Sequence, residues 1–270
     1  MARGPAKRTL KATVVVPCFN EAARLVPSEW VEFAADHPTT SFLMVDDGSS
    51  DGTADVIRAM AAASPQITAL VLPHNQGKAE AVRQGLLSAL HRGDTVVGFW
   101  DADLATPLGA IPTFMDVLAT RPDVGFVLGA RVRLLGRAID RDTARHWFGR
   151  GTALAASLVL GLTVYDTQCG AKLLRPGPHA DALFARPFSS RWAFDVELLA
   201  RWIVAVGGPE AASTTLVEVP LDSWVDVAGS KLTPLDFLRT PLELLKIGWS
   251  YRVVSPRSKP RRSAPPPPPE

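Results

Sequence analysis

The 270-residue chain is 47% hydrophobic and 21% charged, enough to bury a sizeable apolar core, which excludes intrinsic disorder for most of its length. The formal net charge of +2 hides an asymmetry. Arg3, Lys7, Arg8 and Lys11 open the chain without an acid, and Arg252, Arg257, Lys259, Arg261 and Arg262 face only Glu270 at its end, so the stretch between is acidic. Two cysteines, Cys18 and Cys169, rule out a disulfide-built scaffold and read as free thiols of a reducing compartment. The basic start lacks the apolar run of a signal peptide, and no segment reaches the roughly 20 apolar residues that span a bilayer. A cytoplasmic protein is expected.

From residue 12 onward, short β-branched runs alternate with longer helical patterns, the signature of βαβ units and a mostly parallel sheet. The expected strands are 13–17, 41–47, 68–73, 96–103 and 124–130. Between them apolar residues fall at helical spacing, as in Val56, Ile57 and Met60, or Val82, Leu86 and Leu90. Residues 141–162 and 191–206 read as helices, 215–224 as a β-like piece. Thr233-Pro234 and Thr240-Pro241-Leu242-Glu243 are two helix-start signals, which predict a broken or kinked amphipathic pair up to about residue 253. The Pro-rich end after residue 254 reads as an extended solvated tail. The division is therefore a basic disordered start (1–11), one α/β domain (12–232), amphipathic helices (233–254) and a basic Pro-rich tail (255–270).

Open sheets of this kind bind ligands beyond the carboxyl ends of their strands. Polar clusters stand at four of those ends: Pro17-Cys18-Phe19-Asn20-Glu21, Asp46-Asp47-Gly48-Ser49-Ser50-Asp51-Gly52-Thr53, His74-Asn75-Gln76-Gly77-Lys78 and Asp101-Ala102-Asp103. One such cluster is ordinary turn chemistry; four on one sheet edge point to a site. The first strand lacks a Gly-rich phosphate loop, which excludes the dinucleotide and P-loop fingerprints. Two carboxylates two residues apart after a buried strand call for a cation, and Mg²⁺ or Mn²⁺ bridging a ligand's phosphates is the expected cofactor at Asp101 and Asp103.

The pieces VVVPCFNEAARL, VDDGSSDGTADVI, NQGKAEAVRQGL, DADLATP, GAR, DTQCGAKLL, RWAFDVELL and GSKL together resemble the inverting family 2 glycosyltransferases of GT-A fold. Within that family the chain is similar to the dolichyl- or polyprenyl-phosphate sugar synthases over about residues 12–232. Gln168 and Asp195 align it with the β-glucosyltransferases rather than the mannosyl branch, where those positions are usually Ser or Thr and an amide. The resemblance implies a UDP-glucose donor and a polyprenyl-phosphate acceptor, with GDP-mannose or a soluble acceptor as alternatives and a turnover-free nucleotide-sugar-binding protein as a distant one.

Carried over residue by residue, Pro17, Phe19, Asn20 and Glu21 would line the nucleoside pocket and Asp47 would hydrogen-bond the base, with Asp46 structural. Lys78 would approach the donor, Asp101 the ribose or metal and Asp103 the metal directly, with Ala102 between them in the nucleotide-sugar pocket, and Arg131 and Lys231 would face phosphate charge. Asp103, Asp166, Asp195, Glu197 and Lys231 are the candidate catalytic residues, Asp195 and Glu197 orienting the sugar or fixing Lys172 and Arg191. A phosphate acceptor needs no general base, whereas a hydroxyl acceptor would need one of these acids. Two departures matter: Ala105 replaces a polar residue near the metal, and no Arg precedes Gly229-Ser230-Lys231.

Arg133, Arg137, Arg141 and Arg145 recur every four residues, a cationic stripe if helical. That stripe is either a solvated face or a binding surface for acceptor phosphate and anionic headgroups, with Gly136 allowing a loop inside it. The 241–254 segment has a narrow polar face, Glu243, Lys246 and Ser250, and is otherwise apolar. It either packs on the domain or lies in the interface of an anionic membrane, and with two basic ends the expectation is peripheral attachment to the cytoplasmic leaflet. Nucleic acid is not expected as a partner, because no aromatic stacking platform accompanies the basic ends.

Overall fold

The computed structural model describes residues 10–140, 143–175, 177–225 and 234–251. Five strands fall where the hydrophobic runs place them: β1 (Ala12–Cys18), β2 (Thr40–Asp46), β3 (Ile67–Val71), β4 (Val96–Trp100) and β5 (Phe126–Ala130). The helices α1 (Pro27–Asp36), α2 (Thr53–Ala63), α3 (Lys78–His91) and α4 (Ala110–Thr120) connect them. The strand alternation sends Val15, Leu43 and Phe99 into one apolar layer, and Val14, Val16, Phe42 and Trp100 into the other. Ile57 and Met60 of α2 fill the second layer, and Val82 and Leu86 of α3 the first, as their spacing predicts.

The sheet order is β3-β2-β1-β4-β7-β5-β8. The chain runs from β1 outward through β2 and β3, then returns to place β4 on the other flank of β1, both neighbours parallel to it. The carboxyl ends of β1 and β4 therefore frame the crevice where strand order reverses, the standard ligand position in an open α/β sheet. Both ends carry polar clusters named above.

The strand β7 (Ala171–Leu174) is absent from the sequence reading. It runs antiparallel between β4 and β5, and is too short and too close to the DTQCG turn to show a pattern of its own. Gly98 makes room for it, since a Cβ there would lie 2.1 Å from the Lys172 carbonyl oxygen. The strand expected over 96–103 stops at Trp100, leaving Asp101 and Asp103 in the turn beyond.

The first part of the cationic stripe, Arg133 and Arg137, is not helical, whereas Arg145 falls within the later helix that begins at Thr143. Residues 131–137 are irregular, Gly136 lies in a turn with φ 81°, and β6 (Ala138–Asp140) pairs with β9 (Ser223–Val225) in a two-stranded sheet. A glycine with positive φ and the pull of a pairing strand outweigh the helical spacing of a four-residue charge repeat. Arg141 and the side chain of Arg145 lie outside the described residues.

The remaining helices are α5 (Thr143–Leu160), α6 (Ala180–Phe184), α7 (Phe194–Val206), α8 (Pro209–Thr215) and α9 (Pro234–Tyr251), with β8 (Leu216–Pro220) on the sheet edge. The helix α9 passes through Pro241 as one element rather than a pair. Its Leu244 and Ile247 are buried in the layer that holds α7, and Gly248 lies against Val159 of α5. The packing option is therefore realised on one face of the helix. One face packs on the domain, while Leu242, Leu245 and Trp249 are exposed, as are Leu154 and Leu158 of α5.

Gly98→Ala should lower stability by about 2 kcal/mol, the usual cost of overpacking, read as a drop of several degrees in the thermal midpoint. An unchanged midpoint would mean that β7 does not crowd β4.

Candidate active site

The β1 end is zipped to the loop after β2. Asn20, at φ 52°, donates its backbone N–H to Ser49 Oγ at 2.9 Å and accepts from the Ser50 N–H through Oδ1 at 3.0 Å. Glu21 N–H donates to Thr53 Oγ1 at 2.8 Å, and Ala22 N–H to Asp51 Oδ2 at 3.1 Å. The Glu21 carboxylate is taken by a two-pronged contact from Arg24 at 2.6 and 2.7 Å. Asp46 is buried and accepts the Ser49 N–H at 3.3 Å, the structural role expected of it. Asp47, assigned to the base, is also buried and accepts the N–H groups of Gln76 and Gly77 at 2.8 and 2.7 Å. It clamps the segment that leads into Lys78.

Lys78 begins α3, and its Nζ lies 2.5 Å from Asp101 Oδ1. Its side chain is 44% exposed; desolvation opposes its charge, but Asp101, Asp195 and Asp103 together raise its pKa. The carboxylate of Asp101 fits only because residue 170 is glycine, a Cβ there falling 1.9 Å from Oδ2. Asp103 caps its own turn, accepting the Ala105 N–H at 3.1 Å, and burial and then the charge of Asp101 raise its pKa. Two mutually repelling carboxylates suit a small divalent ion that takes one or two protein carboxylates and draws its other oxygens from a phosphate ligand. The donor set fits Mg²⁺ or Mn²⁺ on that chemistry, and among the described residues no cluster of three or more His, Cys, Asp or Glu offers a closed cage. Ala102 and Ala105 are buried beneath the turn.

The acids drawn from the later motifs separate by environment. Asp166 receives Arg131 through Nε at 2.6 Å and Nη2 at 2.8 Å, plus its backbone N–H at 3.1 Å. Burial disfavours the guanidinium charge of Arg131, but Asp166 more than reverses this. Arg131 also lies 5.2 Å from the centroid of the Trp224 ring. Asp195 pairs with Lys172 at 2.6 Å, as expected, and burial raises its pKa against the pull of Lys172 and Lys78. Lys172 is wholly buried and donates as well to the Cys169 carbonyl at 2.5 Å.

Glu197 does not fix Arg191. Its carboxylate accepts from Ser189 N–H and Oγ at 2.7 and 2.8 Å, Arg201 at 2.8 Å and Tyr251 O–H at 2.7 Å, which places it in the packing of α7 on α9. Burial opposes its ionisation, but these partners prevail and its pKa is lowered. Arg191 instead reaches Asn75 Oδ1 at 3.2 Å. Arg137 pairs with Asp222 and donates to the Pro220 carbonyl at 2.9 Å, tying the 131–140 segment to β8, while Arg133 is exposed. Lys231 lies outside the described residues. Burial pushes the Cys18 thiol well up and the Cys169 thiol up to about 11, so both are inert. The residues that sequence reasoning left outside its site are Asn75 and Arg191, although both stand in quoted motifs.

The model of glycosyl transferase family 2 matches residues 13–181. A dolichyl-phosphate β-glucosyltransferase of Drosophila melanogaster is 34% identical over 262 residues, covering 91% of this chain and 76% of its own. Another, from Trichomonas vaginalis, is 31% identical over 253 residues, covering 89% and 72%. Among solved structures, mannosyl-3-phosphoglycerate synthase of Rubrobacter xylanophilus superposes with a TM-score of 0.67 at 16% identity, over 95% of this chain and 79% of its own. Glucosyl-3-phosphoglycerate synthase of Mycobacterium tuberculosis, solved with Mn²⁺, UDP and glucosyl-3-phosphoglycerate, gives 0.62 at 19%, over 92% and 82%. These likenesses establish the GT-A fold.

Because the folded pKa of Glu197 is depressed, its contribution to stability is present above its unfolded value near 4.5 and lost as pH falls through the lowered one. Glu197→Gln should cost about 3 kcal/mol at pH 7, with the deficit shrinking below pH 4.5 in denaturant titrations. A deficit independent of pH would show that the carboxylate charge is not what the network uses.

Proposed function

The chain belongs to glycosyl transferase family 2, and we propose that within it this enzyme moves glucose from UDP-glucose to a polyprenyl phosphate, with inversion to a β-linked product. The observation that carries the reading is the Asp101–Asp103 turn at the β1/β4 crevice, with Lys78 against it, in a chain whose relatives are named for dolichyl-phosphate glucosylation. A divalent cation bound there supplies neutralisation of the diphosphate leaving group. The protein's own part is orientation and charge. Lys78 stands at the head of α3 to follow the leaving phosphates, and the loop clamped by Asp47 sets where it stands.

The state of the acids supports a phosphate acceptor. A hydroxyl nucleophile needs a carboxylate available to take its proton, yet Asp166 and Glu197 are both engaged by buried arginines. A phosphate monoester is already ionised and attacks without proton removal. Asp195, beside Lys172 and within the field of Lys78, is the acid placed to orient sugar hydroxyls.

The surface supports delivery of that acceptor from a membrane. Leu242, Leu245 and Trp249 recur at helical spacing on the exposed side of α9, Trp249 being 87% exposed, and Leu154 and Leu158 of the contacting helix α5 are exposed as well. The five basic residues of 252–262 follow α9 directly in sequence and match anionic headgroups. Among the described residues no helix is long and apolar enough to cross a membrane, so the proposed mode is peripheral, on the cytoplasmic leaflet.

With purified protein, Mg²⁺ or Mn²⁺ and a polyprenyl phosphate, label should pass from UDP-glucose into organic solvent, and Asp103→Asn should reduce this at least about 100-fold, the scale set by losing a leaving-group stabiliser. Transfer from GDP-mannose alone would overturn the donor; transfer only to a water-soluble product would overturn the acceptor. In flotation with anionic vesicles the full chain should rise with the lipid, and Leu242→Glu with Trp249→Glu should leave it at the bottom. Flotation unchanged by the double substitution would remove these side chains from the membrane contact.

A further inference from the structure

The cations around the crevice are mostly neutralised in place. Arg24 is held by Glu21, Arg131 by Asp166, Lys172 by Asp195, Arg201 by Glu197 and Lys78 by Asp101. Arg191 differs: it is exposed, and the hydrogen-bond partner of its guanidinium among the described residues is a neutral amide, Asn75 Oδ1. The Nε–Nη2 edge of that guanidinium faces Gly77, where a Cβ would come within 2.7 Å of both nitrogens and 3.1 Å of Cζ. Gly77 has φ 95° and immediately precedes Lys78, so this edge sits against the backbone that leads to the Lys78–Asp101 contact.

The loop that presents it is fixed on both sides. Ser190 Oγ accepts the N–H groups of Ala193 at 2.6 Å and Trp192 at 3.2 Å while donating to Glu243 of α9 at 2.6 Å. Ser189 is bound by Glu197, which Arg201 and Tyr251 of α9 hold in turn. A cation whose backbone is anchored in this way needs no rearrangement to meet a charged ligand. Nη2 donates to Asn75 and the Nε–Nη2 edge faces Gly77, which leaves the Nη1 side of the guanidinium for phosphate oxygens.

We propose that Arg191 binds a phosphate of the reaction. The inference rests on the phosphate-bearing substrates proposed above. The donor diphosphate and the acceptor phosphate share the chemistry that would recognise this group, and two measurements separate them.

The full-length Arg191→Ala and Arg191→Lys proteins would be compared with the parent for UDP binding by calorimetry in Mn²⁺, and for the KM of a short-chain prenyl phosphate in the transfer assay. If Arg191 serves the donor, the UDP dissociation constant rises about tenfold in Arg191→Ala, with partial recovery in Arg191→Lys. If it serves the acceptor, UDP binding is unchanged and the prenyl-phosphate KM rises by about the same factor. Both constants staying within about twofold of the parent, in a protein that still transfers glucose, overturns the proposal. A parent that binds UDP but transfers nothing refutes the function proposed above instead, and the UDP arm still decides the role of Arg191. Because the side chain is exposed, the thermal midpoint of either variant should match the parent's, which separates binding from folding.

Discussion

The buried Lys172–Asp195 pair is the contact on which the site's geometry depends. Lys172 comes from β7, the antiparallel strand wedged between β4 and β5, and Asp195 from the first turn of α7. Neither charge is tolerable alone at that depth, and removing one partner of such a pair typically costs about 3–5 kcal/mol. The ammonium also caps the Cys169 carbonyl and lies 5.1 Å from the Phe99 ring centroid, so sheet, turn and helix are pinned to a single point. From there α7 runs into the core, and the loop before it is turned toward Gly77 and Lys78. The adjacent Gly170 then leaves just enough space for the Asp101 carboxylate.

A second constraint is the disposal of charge. Glu21, Asp101, Asp166, Asp195 and Glu197 are matched by arginines and lysines, while Asp46, Asp47, Asp51 and Asp103 accept backbone N–H groups. Asp166 and Glu197 each hold an arginine in this way. The pairing leaves the Asp101–Asp103 turn as the place where negative charge is least compensated, with one raised carboxyl and one shared lysine. A site with that imbalance attracts a hard cation together with the phosphates it carries.

The pairing of α5 with α9 gives the molecule two unlike faces within a short distance. Inward, Leu244, Ile247, Glu243 and Tyr251 engage the core and the loop before α7; outward, Leu245 and Trp249 are left to the surroundings. The same helix that exposes these apolar side chains therefore also braces the segment carrying Arg191.

Much of this was legible in one dimension. The parallel strands followed from β-branched runs, because buried parallel strands must be continuously apolar, and the crevice followed from polar clusters at their carboxyl ends. The turn of Asp101 and Asp103 could be read as a cation site because two adjacent carboxylates are costly wherever they fold. What sequence could not supply was partnership. A four-residue arginine repeat has helical spacing, but Gly136 and the pairing of β6 with β9 decide its shape. Likewise β7 is four residues without a pattern, made a strand by two neighbours far away in sequence. Whether Glu197, Asp166 or Arg191 is spent or available depends on which charge lies within reach, and that is set by through-space distances that no spacing along the chain encodes.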